Sequence, residues 1–250
     1  MIERSVRRNY SLFNSKVLEI QGRLRIAKQI AKVLSLYSIG TRSLKVLDIG
    51  CSSGVITNYL ASIYGNVIGI DVDERSISSA KKKFTRKNLK FFVRDGSKSL
   101  FRDRSFDIVV ANQVYYCFAN PGDFFKEVYR LLKPGGICYL GARNKYTLWD
   151  AQYELPLLSF MPQPMASFLV RLSGRSQEYD VEYRTYWQLK KLCTKFEIKH
   201  ITPKGIHDPK KYRFEKVMKY RSLVRLIPEW LLVKIEPVMP NFVWLLVKPK

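Results

Sequence analysis

An apolar run that ends in an acid and breaks at once into a glycine-bearing turn limits what this chain can fold into. The run is Lys45-Val-Leu-Asp-Ile-Gly-Cys-Ser-Ser-Gly54, and Val67-Ile-Gly-Ile-Asp71 follows it. Val46, Leu47, Val67, Ile68 and Ile70 read as two buried parallel strands, rich in β-branched residues and bounded by turn formers. Gly50 and Gly54 let the backbone turn sharply and approach a ligand with no Cβ in the way. A helix opening near Gly54 aims its unpaired N–H groups into the same space. Asp71 ends the second strand about twenty residues after the turn, where a doubly wound α/β fold sets a carboxylate against a ribose diol. The expectation is a nucleoside-cofactor pocket.

A dinucleotide site needs a glycine in the middle of G-x-G-x-x-G so that a pyrophosphate can approach. Ser52 stands there, so that fingerprint is broken. Downstream, Leu89-Lys-Phe-Phe-Val-Arg-Asp95-Gly96 reads as a third strand ending in an acid, and Phe106-Asp-Ile-Val-Val-Ala-Asn112 as a fourth. Phe124 to Leu132 spaces its apolar residues as a helix does, and Lys133-Pro-Gly-Gly136 stops it. Ile137-Cys-Tyr-Leu140 then makes a fifth strand.

This order of motifs, over Ser43 to Lys145, resembles the class I S-adenosylmethionine-dependent methyltransferases of the type 11 kind. Asp48, Gly50 and Gly54 match the family's first motif, and Ser52 departs from its middle glycine. The resemblance implies an α/β, Rossmann-like, doubly wound sheet of seven strands, mostly parallel with an antiparallel last strand, carrying helical cap insertions. It implies S-adenosylmethionine as cofactor, with Asp48, Gly50, Cys51 and Gly54 around the methionine portion. Asp71 would hold the ribose with Val72 beside the adenine, Asp95 and Gly96 would meet the adenine edge, and Asn112 would present its backbone near the sulfonium. The sixth and seventh strands would be Glu197-Ile-Lys-His-Ile-Thr202 and Asn241-Phe-Val-Trp-Leu-Leu-Val247, with a helix from Thr185 to Phe196 before them.

The whole chain, 1–250, reads as a single domain. Residues 1–43 form a leading helical segment, in which Val17, Ile20, Leu24, Ala27, Ile30, Ala31 and Leu34 recur at helical spacing while Arg23, Arg25, Lys28 and Lys32 stay outside the stripe. In the family such a helix closes over the cofactor, and Tyr10 is a lid candidate. Residues 44–143 are the cofactor-binding core, and 144–184 and 203–240 are insertions on the acceptor side. Both insertions carry more apolar residues than a loop requires, so they pack together as a helical cap or roof a hydrophobic or lipid-linked acceptor. Four cysteines without C-x-x-C spacing read as reduced, buried residues of a cytoplasmic protein that can sit at a membrane surface. No signal peptide and no run long enough for a membrane span is visible. The two histidines predict no metal centre.

The net charge of +23 is spread along the chain with two local peaks, and a general basic bias with no partner would give the same count. One basic peak, Lys81 to Lys87, reads as a solvated helix face. A second, residues 199–225, has nine basic and two acidic side chains interleaved with Tyr212, Phe214 and Tyr220. That mixture suits nucleic acid, by phosphate neutralisation and stacking, or an anionic lipid surface.

Methyl transfer needs the nucleophile held in line with the S–CH₃ bond, and a base only when the acceptor is a hydroxyl or a protonated amine. Where many family members carry a Glu-His pair after the fourth strand, this chain has Tyr115 and Tyr116. Those two and His207, beside Asp208, are the catalytic candidates. Three functions stay open: methylation of a small-molecule or lipid- or glycan-linked acceptor, methylation of RNA (tRNA or rRNA), and a non-catalytic binding protein on the same fold. The Asn/Asp-Pro-Pro-Tyr motif of amino-group nucleic-acid methyltransferases is absent, with Ala111-Asn-Gln-Val-Tyr115 in its place.

Overall fold

The computed structural model describes residues 20–38, 41–150, 152–214 and 227–250. Tyr10, Val17, Tyr220 and the rest of the basic stretch at 215–225 lie outside the described residues. Seven strands form one sheet: β1 (Lys45–Ile49), β2 (Asn66–Asp71), β3 (Leu89–Val93), β4 (Phe106–Asn112), β5 (Leu132–Arg143), β8 (Glu197–His200) and β9 (Asn241–Val247). Their order is β3-β2-β1-β4-β5-β9-β8. Every pair is parallel except β5 with β9 and β9 with β8, so only β9 runs against the rest. The seven-stranded, mostly parallel sheet expected from the sequence is therefore the observed one. A small hairpin, β6 (Trp149–Asp150) with β7 (Leu155–Pro156), stands apart from it.

The strand order reverses between β1 and β4, which opens a crevice at their carboxyl ends. Register aligns the rims of that crevice. Ile49 pairs with Ile70 on one side and with Ala111 on the other, so the tips of β1, β2 and β4 end in one row. Asp71 pairs with Val93 one step further along.

Both faces of the sheet are covered, which is why its strands read as near-continuous apolar runs. On one face lie α1 (Ile20–Ser35), α2 (Val55–Ala61) and α3 (Glu74–Lys83), packed through Ala27, Ile30, Leu34, Leu60, Ile77 and Ala80. On the other lie α4 (Pro121–Leu131), α5 (Gln163–Leu172) and α6 (Tyr186–Leu192), packed through Phe124, Val128, Ala166, Val170, Tyr186 and Leu189. Full burial of such aliphatic side chains contributes about 1.5–3 kcal/mol each. In α1 the predicted stripe departs at its start, because Ile20 is exposed, and Val33 joins the buried set in its place.

Local signals place the helix ends. Asp73 accepts from the N–H groups of Arg75 and Ser76 to open α3, and Asn120 accepts from Gly122 with Pro121 at the first position of α4. Thr185 and Gln188 form a reciprocal capping box on α6, satisfying two donors the helix cannot pair itself. That helix ends at Leu192, four residues before the sequence expectation, and Cys193 already leaves helical geometry.

The first insertion, 144–184, contributes the hairpin and α5, and Tyr153, Leu158 and Tyr179 fix it to the sheet. The second lies between β8 and β9. Its described residues form α7 (Thr202–His207), α8 (Pro209–Tyr212), α9 (Glu229–Ile235) and a 3-10 turn, Glu236–Val238. Asn144 ties the two together, its amide nitrogen donating to the carbonyls of Pro237 and Met239 at 2.8 and 2.9 Å. No helix among the described residues is long and apolar enough to cross a membrane.

Candidate cofactor and acceptor site

The turn after β1 carries positive φ at Gly50 (74°), Ser52 (46°) and Gly54 (73°). Glycine is required twice over at two of these positions. A Cβ on Gly50 would fall 2.5 Å from Val114 Cγ2, and one on Gly54 would fall 2.7 Å from the Phe91 ring, closer than carbon atoms can approach. Ser52 accepts the left-handed conformation, and its N–H donates to Asp71 Oδ2 at 2.8 Å. The Asp73 N–H donates to Asp71 Oδ1 at 3.0 Å. The turn and the tip of β2 are thus locked to one carboxylate, which burial pushes up in pKa against the pull of those two donors.

Asp48 lies beneath the turn, 3% exposed, and accepts from Thr57 Oγ1 of α2 at 2.7 Å. Burial pushes its pKa up to about 7, against Thr57 and the Arg23 charge, which pull it down. Cys51 is buried between the turn and the sheet, and burial raises its thiol further beside Asp48 and Asp71. All four cysteines are free.

Across the crevice, Asp95 turns back on its own loop and accepts from the backbone N–H and hydroxyl of Ser97, both at 2.7 Å. Gly96 sits between Ile49 and Phe118, and a Cβ there would reach within 2.9 Å of the Phe118 ring. Asn112 covers Gly141 of β5, and Gln113 follows it with φ 57°. The structure therefore brings Asp48, Gly50, Cys51, Gly54, Asp71 and Val72 together on one rim, with Asp95, Gly96 and Asn112 at the ends of the neighbouring strands. Two polar atoms at these rims, Ser53 Oγ and Gln113 Oε1, are buried with no hydrogen-bond partner among the described residues. Neither was foreseen. Nor was Arg23, which the helical pattern put on the outer face of α1 and whose guanidinium reaches Ser52 Oγ at 3.5 Å.

Beyond β4 the chain opens a cavity of about 510 Å³. One wall is Tyr116 to Ala119; the facing wall comes from the first insertion, through Ser159, Met161, Gln163 and Tyr179 to Tyr183. Phe118 belongs both to this wall and to the packing of Gly96, so the cavity adjoins the crevice. Tyr115 is fully buried, donates to the Arg143 carbonyl at 2.6 Å and accepts the Arg184 N–H at 3.0 Å. Burial raises its pKa, so its hydroxyl keeps its proton. Tyr116 packs edge-on between Tyr115 and Tyr183. His207 is exposed at the end of α7 and does not line the cavity.

Behind the cavity wall lies a buried acid that no local pattern announces. Asp150 is 1% exposed and accepts from the Gln152 and Tyr153 N–H groups and from the Tyr179 hydroxyl. Burial of the Tyr179 and Tyr183 hydroxyls raises them, and the nearby Asp150 carboxylate adds to the rise. No group of three His, Cys, Asp or Glu side chains among the described residues could hold a metal ion.

A methyltransferase-domain family model matches residues 47–140. The ubiquinone biosynthesis O-methyltransferase of Pelagibacter ubique is 28% identical over 158 residues, 60% of this chain and 64% of that protein. The demethylmenaquinone methyltransferase of Chlorobaculum tepidum is 34% identical over 119 residues, 47% of each chain. The chain spans less than two thirds of the length of these curated relatives. Among solved structures, a putative methyltransferase from Haloferax volcanii, in complex with the Trm112 methyltransferase activator, superposes with TM-score 0.60 at 17% identity, over 98% of this chain and all of that one. Phosphoethanolamine N-methyltransferase 2 of Haemonchus contortus, with S-adenosylhomocysteine, superposes with TM-score 0.54 at 20% identity, over 89% of this chain and 52% of that one. Its strand order and acid-tipped glycine turn make the fold of these solved methyltransferases, and residues 47–140 are similar to the methyltransferase-domain family.

Proposed function

We propose that the protein transfers a methyl group from S-adenosylmethionine to a small-molecule or lipid-linked acceptor that occupies the cavity behind Tyr116 and Phe118. The observation that carries this reading is the cavity itself, large enough for an organic substrate and sharing Phe118 with the cofactor crevice. Curated relatives that act on quinone precursors and on phthiotriol dimycocerosates support the acceptor class.

The residues of the crevice suit the cofactor. Each Asp71 oxygen accepts one backbone N–H and keeps lone pairs for a ribose diol. Gln113 Oε1 is an unfilled acceptor of the kind an ammonium satisfies, and Ser53 Oγ can donate to a carboxylate. The turn at Gly50 and Gly54 holds the methionine portion, and the loop of Asp95 and Gly96, packed on Ile49 and Phe118, borders the adenine. When bound, the cofactor supplies a methyl group already activated by its sulfonium. The protein's task is then to orient the acceptor and exclude water. Tyr115 acts as a brace, joining the Arg143 carbonyl to the Arg184 N–H beside the cavity wall, while Tyr116 presents its ring to the acceptor.

The RNA reading has less support. Tyr212 and Phe214, the described aromatics of the basic segment, are 6% and 5% exposed and cannot stack on bases. Incubation with methyl-labelled cofactor and separate lipid, small-molecule and RNA extracts tests the proposal. Label in the lipid or small-molecule fraction is expected. Label confined to RNA, or none despite cofactor binding, would reject it.

A further inference from the structure

We infer that the short helices between β8 and β9 form a docking surface for an anionic lipid bilayer. Helix α7 packs against both α8 and α9, and the 3-10 turn continues α9. Of the seven residues of α9 only Leu232 is buried. Trp230, Leu231, Val233 and Ile235 are exposed, and Val238 follows; Trp230 and Val238 are each 60% exposed. So many large apolar side chains on so short a segment mark an interaction surface, because solvated helices keep such residues inward.

The charges around this patch select its occupant. Lys210, Lys211 and Arg213 are exposed on or beside α8, and the Lys234 ammonium lies 5.0 Å from the centre of the Trp230 ring. The acids nearby are mostly engaged. Asp208 accepts the Lys211 N–H, and Glu236 is fully buried against His200 Nδ1, which leaves Glu229 as the exposed carboxylate. Apolar side chains with a tryptophan among cations match the boundary between acyl chains and anionic headgroups. RNA would have no use for Val233, Ile235 and Val238, and Tyr212 and Phe214, the described rings of the basic segment, are internal. The inference is independent of the acceptor reading, since it concerns an outer surface and is measured without turnover.

Flotation of the full chain with vesicles tests it, using phosphatidylcholine alone and phosphatidylcholine with about a quarter phosphatidylglycerol. Binding to the anionic vesicles, weakened by salt, is expected. Lys210→Glu with Lys211→Glu should weaken that binding by roughly tenfold or more, whereas Lys81→Glu with Lys82→Glu, an equal charge change on α3, should alter it by less than about twofold. Trp230→Ser should weaken binding even at high salt, and Trp230→Phe should abolish the lipid-induced blue shift of tryptophan emission. Circular dichroism of each variant checks that folding is kept. Equal losses for the two charge reversals would sink the idea, because the overall +23 would then account for the attraction. Absence of vesicle binding together with self-association through Trp230, or with tight retention of an RNA oligonucleotide, would overturn it as well.

Discussion

Asp48 shows how one residue can be read correctly by type and still differ in circumstance. It is an acid at a strand tip, yet it sits under the turn, pushed up to about 7 by burial. The folded state therefore holds its proton more tightly than the unfolded chain, whose carboxyl titrates near its ordinary value. Stability from this group is complete below pH ~4 and is lost as pH rises through ~7. Asp48→Asn keeps an acceptor for Thr57 and removes the cost of the buried charge. The variant should be more stable than the native protein by about 2–4 kcal/mol at pH 8 and nearly equal at pH 4. Urea unfolding at the two pH values measures this, and a native protein equally stable at both would show that Asp48 carries its charge without penalty. Asp71 is a different case, because it faces the crevice. Asp71→Ala removes charge-assisted acceptors and should weaken cofactor binding by about 1–3 kcal/mol. Unchanged calorimetric titration with S-adenosylmethionine would count against its role.

At the scale of elements, strands and caps were legible because each is announced locally. β-branched runs, Asp73, Asn120 and the Thr185–Gln188 pair all act within a few residues of themselves. What stayed hidden was long-range closure. Lys133-Pro-Gly-Gly136 announces the end of α4, but the carbonyls there are satisfied from the far end of the chain. Lys248, just past β9, is 7% exposed and donates to the Tyr129 and Leu132 carbonyls, both at 2.8 Å. A cation is well placed at a helix carboxyl end, where the backbone dipole is negative. It joins α4, β5 and β9, contacts that no local pattern encodes. Burial lowers the pKa of Lys248. Lys248→Met keeps the apolar stem and leaves two carbonyls unpaired, so it should destabilise the fold by about 1–3 kcal/mol. Thermal unfolding measures the change, and a melting temperature equal to the native one would mean that water replaces the ammonium.

Taken whole, the molecule separates a crevice at the strand tips, legible in the sequence, from a cavity walled by an insertion. The first insertion showed only excess hydrophobicity, because its meaning depends on which strand tips it faces once folded. Tyr153, Leu158, Ala166, Val170 and Tyr179 join the same core as Phe124 and Leu140, so the insertion cannot be cut out without loss of folding. Filling the cavity separates it from the crevice instead. Gln163 stands exposed at the start of α5, lines the cavity, and has one weak hydrogen bond to the Tyr179 carbonyl at 3.3 Å. Gln163→Trp would place an indole in the space the acceptor needs without touching Gly50, Asp71 or Gly96. The acceptor KM should rise by about tenfold, near 1.4 kcal/mol, while the cofactor Kd stays fixed. If the cofactor Kd rose with it, crevice and cavity would be one compartment; if neither moved, the acceptor would bind elsewhere.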